Sequence, residues 1–277
     1  MFERVVIALN GSPPPKALAQ AAMALTYPRQ SEITVLTVRP APPGLAAGRE
    51  PVEIAPGPSD SAEIAAGILR KSGYRARARI HQVDRGGVAD EIIRYVDEHG
   101  PDLLVMGSRG LTDLQALVTA SVSHQVLAHV LCPVLIVREG AELDRPRRLL
   151  LAFDDSNHSR RAARVAADLA GSTGAEVEVV SVKRPLLAEG AFVIDTEDCR
   201  RRVDHLVAGL REEVVASGSV KVSISGRAPA IVQAAEEAGA DLIVMGSRGL
   251  SRIAGAVIGS VSHEVIHLSN RQVLLVP

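Results

Sequence analysis

Short apolar runs rich in Val, Ile and Leu alternate along this chain with longer segments whose apolar positions recur at helical spacing. In the first half the runs Arg4–Leu9, Glu32–Val38, Arg75–His81, Asp102–Met106 and Val134–Val137 predict five strands. In the second half Arg148–Phe153, Glu176–Val182, Lys221–Ser225, Asp241–Met245 and Val273–Val276 predict five more. The runs starting at Asp102 and Asp241 are almost continuously apolar, which marks strands covered on both faces. Between strands lie amphipathic segments such as Lys16–Leu25, Val88–Glu98 and Ser159–Ala170, roughly four helices per half. Strand–helix alternation of this kind gives an α/β fold: a parallel, doubly wound sheet with right-handed crossovers and helices on both faces.

The same word occurs twice. Asp102-Leu-Leu-Val-Met-Gly-Ser-Arg-Gly-Leu111 returns as Asp241-Leu-Ile-Val-Met-Gly-Ser-Arg-Gly-Leu250, half of the 277-residue chain later. That spacing is too long for a solenoid repeat and fits two tandem domains of ordinary size. They are read as residues 1–139 and 147–277, joined by a charged linker over Arg138–Arg147. Pro40–Pro58 carries six prolines and three glycines and reads as a surface loop of the first domain.

Composition narrows the functional classes. With 47% hydrophobic residues, 2% aromatics and no Trp, each half builds its core from aliphatic side chains. Lys and Arg number 31 against 32 Asp and Glu, so no charge excess drives binding to nucleic acid or a membrane surface. The two cysteines, Cys132 and Cys199, make neither a disulfide framework nor a Cys-rich metal site. No run approaches the ~20 apolar residues of a membrane span. No leader is visible either, since Met1-Phe-Glu-Arg runs straight into the first strand, and the expected compartment is cytoplasmic.

The candidate chemistry lies where the repeated strand hands over to glycines. Gly246 and Gly249 are separated by two residues, and nine further residues lead to Gly259 and Ser260. Glycines leave room for phosphate oxygens to approach main-chain amides. Ser260 opens the amphipathic segment Ser260–Leu268 and reads as its N-cap, at a helix start that favours anions. Across from it the first strand of this half ends in Asp154-Asp155-Ser156, groups suited to ribose hydroxyls or to Mg²⁺ carried by phosphates. Glycines that merely serve turns, with Ser260 merely a cap, explain the same letters, and the residues alone leave both readings open.

Taken together these motifs resemble the universal stress protein family, in its tandem two-domain form, over nearly the whole length. The family signature of Gly, two residues, Gly, nine residues, Gly-Ser is matched in full by Gly246–Ser260. Its first strand typically ends in Val-Asp-Gly-Ser, a place taken here by Phe153-Asp154-Asp155-Ser156. The resemblance implies the strand order 3-2-1-4-5, with ligand at the carboxyl ends of strands 1 and 4. It also implies ATP as ligand, with adenine near Val182 and ribose near Asp154, and with Asp155 among the nucleotide-binding residues. The phosphates would lie on Met245, Gly246, Gly249, Gly259, Ser260, Val261 and Ser262, with Arg248 a further nucleotide-binding residue of the same cradle. The corresponding first-half set is Asn10, Gly11, Val38, Met106, Gly107, Gly110, Ser121, Val122 and Ser123. There the later glycine is Ala120 and the first-strand aspartate is Asn10, so the first site is expected to be the weaker. The two domains are expected to pair as an intramolecular pseudo-dimer through their last strands, with a homodimer of the whole chain as a further step.

Other signals lead elsewhere and carry less. His263-Glu-Val-Ile-His267 spells a zinc-protease word, but the equivalent His124-Gln-Val-Leu lacks the glutamate and no third ligand follows, so no protein metal site is expected. Arg200–Arg202 reads as a solvated helix face, Arg75–Arg79 as the polar side of an edge strand, and Cys132 as a buried small hydrophobe. Neither Gly-x-Gly-x-x-Gly nor a P-loop is present. Phosphoryl transfer calls for a base, a metal clamp and a cation on the γ-phosphate, and the turn offers neither a P-loop lysine nor an evident base. The chain therefore reads as an ATP-binding regulator in which occupancy is the signal. The alternatives are a slow Mg-dependent ATP hydrolase using Asp154 and an interaction module that holds no nucleotide.

Overall fold

In a computed structural model the chain divides into two compact units, Met1–Asp144 and Arg145–Pro277. The structure describes residues 1–9, 13–40, 52–57, 59–83, 87–107, 122–140, 143–188, 191–193, 196–248 and 259–277. Among the described residues no helix is long and apolar enough to cross a membrane.

The first unit runs β1 (Arg4–Leu9), α1 (Pro15–Ala24), β2 (Glu32–Pro40), β3 (Val52–Ile54), α2 (Ser61–Lys71), β4 (Arg75–Val83), α3 (Val88–His99), β5 (Leu103–Gly107), α4 (Val122–His129) and β6 (Val134–Val137). Its strands lie in the order β6-β5-β1-β2-β4-β3. All pairings are parallel except β3 on β4. The second unit runs β7 (Arg148–Ala152), α5 (Asn157–Thr173), β8 (Glu176–Lys183), β9 (Leu186–Ala188), β10 (Ala191–Val193), α6 (Glu197–Leu210), β11 (Ala216–Val222), α7 (Arg227–Glu237), β12 (Leu242–Gly246), α8 (Ser260–Leu268) and β13 (Gln272–Val276). Its parallel sheet has the order β11-β8-β7-β12-β13, which is 3-2-1-4-5 when counted within the unit.

Burial explains why these runs become strands. Every residue of β5 and of β12 is buried, as a central parallel strand covered by helices on both faces requires. The helices meet the sheet with small faces: α1 presents Leu18, Ala19, Ala21 and Ala22, all essentially inaccessible. The aspartate that opens each repeated word works at the far end of the sheet from the glycines. Asp102 accepts the amides of Glu3 and Arg4 at 2.8 and 3.0 Å, and Asp241 accepts those of Arg147 and Arg148 at 2.8 and 2.9 Å. Each carboxylate ties the start of its unit's first strand to the start of the fourth.

Three features depart from the sequence reading. The third strand of the second unit is Ala216–Val222, not Lys221–Ser225. Gly218 is in the strand because a side chain there would meet Val203 and Val207 of α6 at 2.6 and 2.7 Å. Val52–Ile54 forms an antiparallel edge strand inside the stretch read as a loop, of which residues 41–51 lie outside the described ones. It pairs with residues 80–82 of β4 and sets Glu53 against Arg79, so only the earlier part of β4 keeps an edge character. β9 and β10 form a short separate hairpin.

The first unit also buries an ionisable cluster that the second lacks at the matching helix. His81 on β4 donates from Nδ1 to Glu91 on α3, whose other bonds come from Arg94 at 2.7 and 2.8 Å. Tyr95 lies edge-on to His81 and stacks on His99. Burial pushes the Glu91 carboxyl up, but the hydrogen bonds from Arg94 and His81 outweigh it and hold the group below the usual carboxylate range. A carboxylate with a depressed folded value contributes stability above its unfolded value and loses it as pH falls through the folded one. Glu91→Gln is expected to cost about 1–3 kcal/mol at neutral pH. The deficit should shrink as the pH is lowered below about 4.5, where the wild-type advantage disappears. Urea titrations of both proteins between neutral and acid pH measure it.

Candidate functional site

The carboxyl ends of β7, β8 and β12 open onto a cavity of about 290 Å³ in the second unit. It is the crevice beside the first and fourth strands, where doubly wound sheets bind ligands. Its size is at the lower end of what small-molecule sites require.

One wall is the turn from β7 into α5. Phe153 still hydrogen-bonds Val180 across the sheet at 2.9 Å, after which the chain turns sharply. Asp154 accepts the amide of Ser156 at 3.1 Å, an Asx turn. Ser156 caps α5 by accepting the amide of Ser159, also at 3.1 Å. Between them Asp155 has φ 66°, a left-handed conformation that costs a non-glycine residue roughly 1 kcal/mol. Its carboxylate is held by Arg160 at 2.8 Å and lies 3.6 Å from Arg202, contacts a glycine would forgo.

The opposite wall is the passage from β12 to α8. Ser247 donates its amide to Val276, and its carbonyl accepts the amide of Gly259 at 2.8 Å, which pins the two ends of the intervening segment. Gly259 is the N-cap of α8 in extended conformation (φ −63°, ψ 141°), with no side-chain cap and no acidic residue in the first turn. Ser260 is therefore the first helical residue and not the cap that its sequence suggests. The first intrahelical bond is accepted by Gly259 from His263, so the amides of Ser260, Val261 and Ser262 have no partner within the helix. Ser262 spends its hydroxyl proton on the Gly246 carbonyl at 2.9 Å and contributes its amide.

Gly246 is explained by packing. A Cβ there would stand 2.8 Å from His158 Cβ and 3.0 Å from the Ser159 nitrogen, at the first turn of α5. Burial pushes His158 below the ordinary imidazole range, with Arg161 and Arg248 adding to the effect and Asp154 opposing it. It is consequently neutral at neutral pH.

Among the described residues four cations line the cavity, Lys183, Arg202, Arg227 and Arg248, against the two carboxylates Asp154 and Asp155. Two buried side chains also face it: Cys199 lies 3.0 Å from Ser181, sulfur to hydroxyl oxygen. Cys132, in the other unit, is buried and its thiol is pushed up to about 12 by that burial, so it stays an inert hydrophobe. Among the described residues no group of three His, Cys, Asp or Glu side chains could hold a metal ion. His263 and His267 lie edge to face on α8 at 5.3 Å.

Of the residues singled out in the second half, Asp154, Asp155, Val182, Met245, Gly246, Arg248, Gly259, Ser260, Val261 and Ser262 all line this one cavity. Gly249 lies outside the described residues. Sequence reasoning missed Lys183, Arg202 and Arg227. In sequence Arg202 reads as part of a solvated helix face, and its pairing with Asp198 at 2.6 Å gives it that look. In the first unit Asn10, Gly11, Gly110, Ser121 and Ala120 lie outside the described residues. Of the rest, Val38 is at the end of β2, and Met106 and Gly107 close β5. Val122 and Ser123 open α4.

Fold and cavity together define a tandem α/β protein with an anion-compatible crevice in its second unit. The model of the "Universal stress protein family" matches residues 1–138 and again 146–277, and the chain belongs to that family. Among relatives, a universal stress protein of Thermus aquaticus is 37% identical over 137 residues, covering 47% of this chain and 98% of its own. A crystal structure of a universal stress protein from Archaeoglobus fulgidus is similar over 99% of this chain and 95% of that one, at 23% identity and TM-score 0.71. A structure of a universal stress protein from Archaeoglobus fulgidus in complex with dAMP matches 47% of this chain and 97% of that one, at 26% identity and TM-score 0.38.

Proposed function

We propose that the second unit binds an adenine nucleotide, ATP in the first place, and that occupancy of this site is the protein's regulatory signal. The observation that carries the reading is the start of α8. An uncapped, acid-free helix terminus opens into a cavity that also holds four cations and the Asp154 turn. On this reading the amides of residues 260–262 and Arg248 hold phosphates. Asp154 meets the ribose or a Mg²⁺ that arrives with the phosphates, and the apolar Val180–Val182 end of β8 receives the base. Among the described residues Asp154 and Asp155 are the only carboxylates lining the cavity, and Asp155 is already neutralised by arginines. That arrangement suits holding a polyanion more than activating a water. The first unit, with Ala120 and Asn10 in place of glycine and aspartate, is the weaker or silent partner.

Thermal unfolding of the purified chain with and without Mg-ATP, ADP and AMP tests this. A ligand at about 100 times its Kd adds about 2.7 kcal/mol and raises the melting temperature by several degrees. No shift with any of the three at millimolar concentration sinks the reading.

A further inference from the structure

The cations of the cavity are not spread evenly along it. Among the described cations that line the cavity, Arg248 is the one on the glycine turn after β12, where the proposed function puts the 5′-phosphates. Lys183 ends β8, Arg227 is the first residue of α7, and Arg202 comes from the middle of α6. In the order β11-β8-β7-β12 the end of β8 lies two strand spacings, about 10 Å, from the end of β12. Three of the four positive charges thus collect on the strand-2 side, away from the helix start that would take the 5′-phosphates. Arg202 is already answered by Asp198 and Asp155. Among the described residues no carboxylate forms an ion pair with Lys183 or Arg227, although both line the cavity.

A purine ring brings no charge to meet them. The ribose, placed by Asp154 at the neighbouring strand end, lies between the two cationic groups. In doubly wound folds the end of the second strand is where a basic side chain accommodates a phosphate on the ribose. Resting on the nucleotide reading above, we propose that the cavity is built for a nucleotide phosphorylated at two places. The 5′-phosphate would sit on the start of α8, and a second phosphate, on the ribose 2′ or 3′ oxygen, would be held by Lys183 and Arg227.

Isothermal titration of the full chain with AMP, ADP, adenosine 2′,5′-bisphosphate and adenosine 3′,5′-bisphosphate tests the proposal. ADP carries as many phosphates as the bisphosphates, so a general charge effect raises all three alike. One bisphosphate is expected to bind about tenfold or more tighter than both AMP and ADP, and which isomer wins identifies the oxygen. In the double variant Lys183→Gln/Arg227→Gln the ratio of ADP to bisphosphate Kd should fall to about 1. Taking the ratio within each protein removes any general weakening of the site, and circular dichroism melting checks that the variant is folded. A bisphosphate no tighter than ADP, or an advantage that survives the double variant, overturns the proposal. Binding of AMP and ADP without that preference leaves the nucleotide reading standing, whereas no binding of any adenosine nucleotide removes both.

Discussion

Gly259→Asp should abolish the thermal shift produced by Mg-ATP while leaving the ligand-free protein at least as stable as wild type. The two halves of that outcome come from the same geometry. Gly259 occupies the N-cap of α8 at φ −63° and ψ 141°, extended backbone that aspartate adopts without strain. No side chain caps this helix, and its first turn lacks an acid. An aspartate here can accept the amides of residues 261 and 262 and face the positive end of the helix dipole, which is worth about 1 kcal/mol. Those amides are the groups assigned to the phosphates. The new carboxylate occupies them and adds a negative charge where the ligand brings several, so affinity is expected to fall at least about a hundredfold. Calorimetric melting with and without nucleotide reads both effects in one experiment. A nucleotide-dependent shift that survives in Gly259→Asp places the ligand elsewhere. The matching change in the first half, Ala120→Asp, should leave the wild-type shift in place if the second unit dominates.

What could be read in advance follows from which interactions are local. Central strands such as Leu103–Gly107 and Leu242–Gly246 are buried on both faces, so their apolar runs announce them without any tertiary knowledge. β11 was displaced because Gly218 answers to Val203 and Val207 on another element, and a glycine between serines looks like a turn in isolation. Three-residue strands such as Val52–Ile54 are too short to show a period at all. The same division runs through the cavity. Its strand-end and α8 residues belong to one contiguous motif or to the short Phe153–Ser156 turn, and a pattern of letters finds them. Lys183, Arg202 and Arg227 arrive from three separate elements, and only packing brings their charges to a common wall. Arg202 in particular makes an ordinary one-turn ion pair with Asp198, so nothing local separates it from a solvent-facing arginine.

The repeated glycine at the end of β12 has two competing explanations, and Gly246→Ala separates them. If the residue is glycine so that phosphate can pass, the methyl should weaken nucleotide binding and leave the empty protein unchanged. The packing points to the other explanation. A Cβ at this position falls 2.8 Å from His158 Cβ, 2.9 Å from the His158 carbonyl carbon and 3.0 Å from the Ser159 nitrogen. Two of these are backbone atoms in the first turn of α5, which cannot swing aside as a flexible side-chain tip can. Relief requires α5 to move off the sheet. That strains the Ser156 cap and the Asp154 turn that precede it, and the Ser262 bond to the Gly246 carbonyl. Overpacking of this kind costs about 1–3 kcal/mol, and loss of the cap adds about 1 kcal/mol. Urea unfolding of the ligand-free variant is therefore expected to show a loss of about 2–4 kcal/mol. Nucleotide affinity should fall with it, because the displaced turn carries Asp154. A ligand-free stability within about 0.5 kcal/mol of wild type would mean that α5 yields easily, and would return this glycine to the ligand.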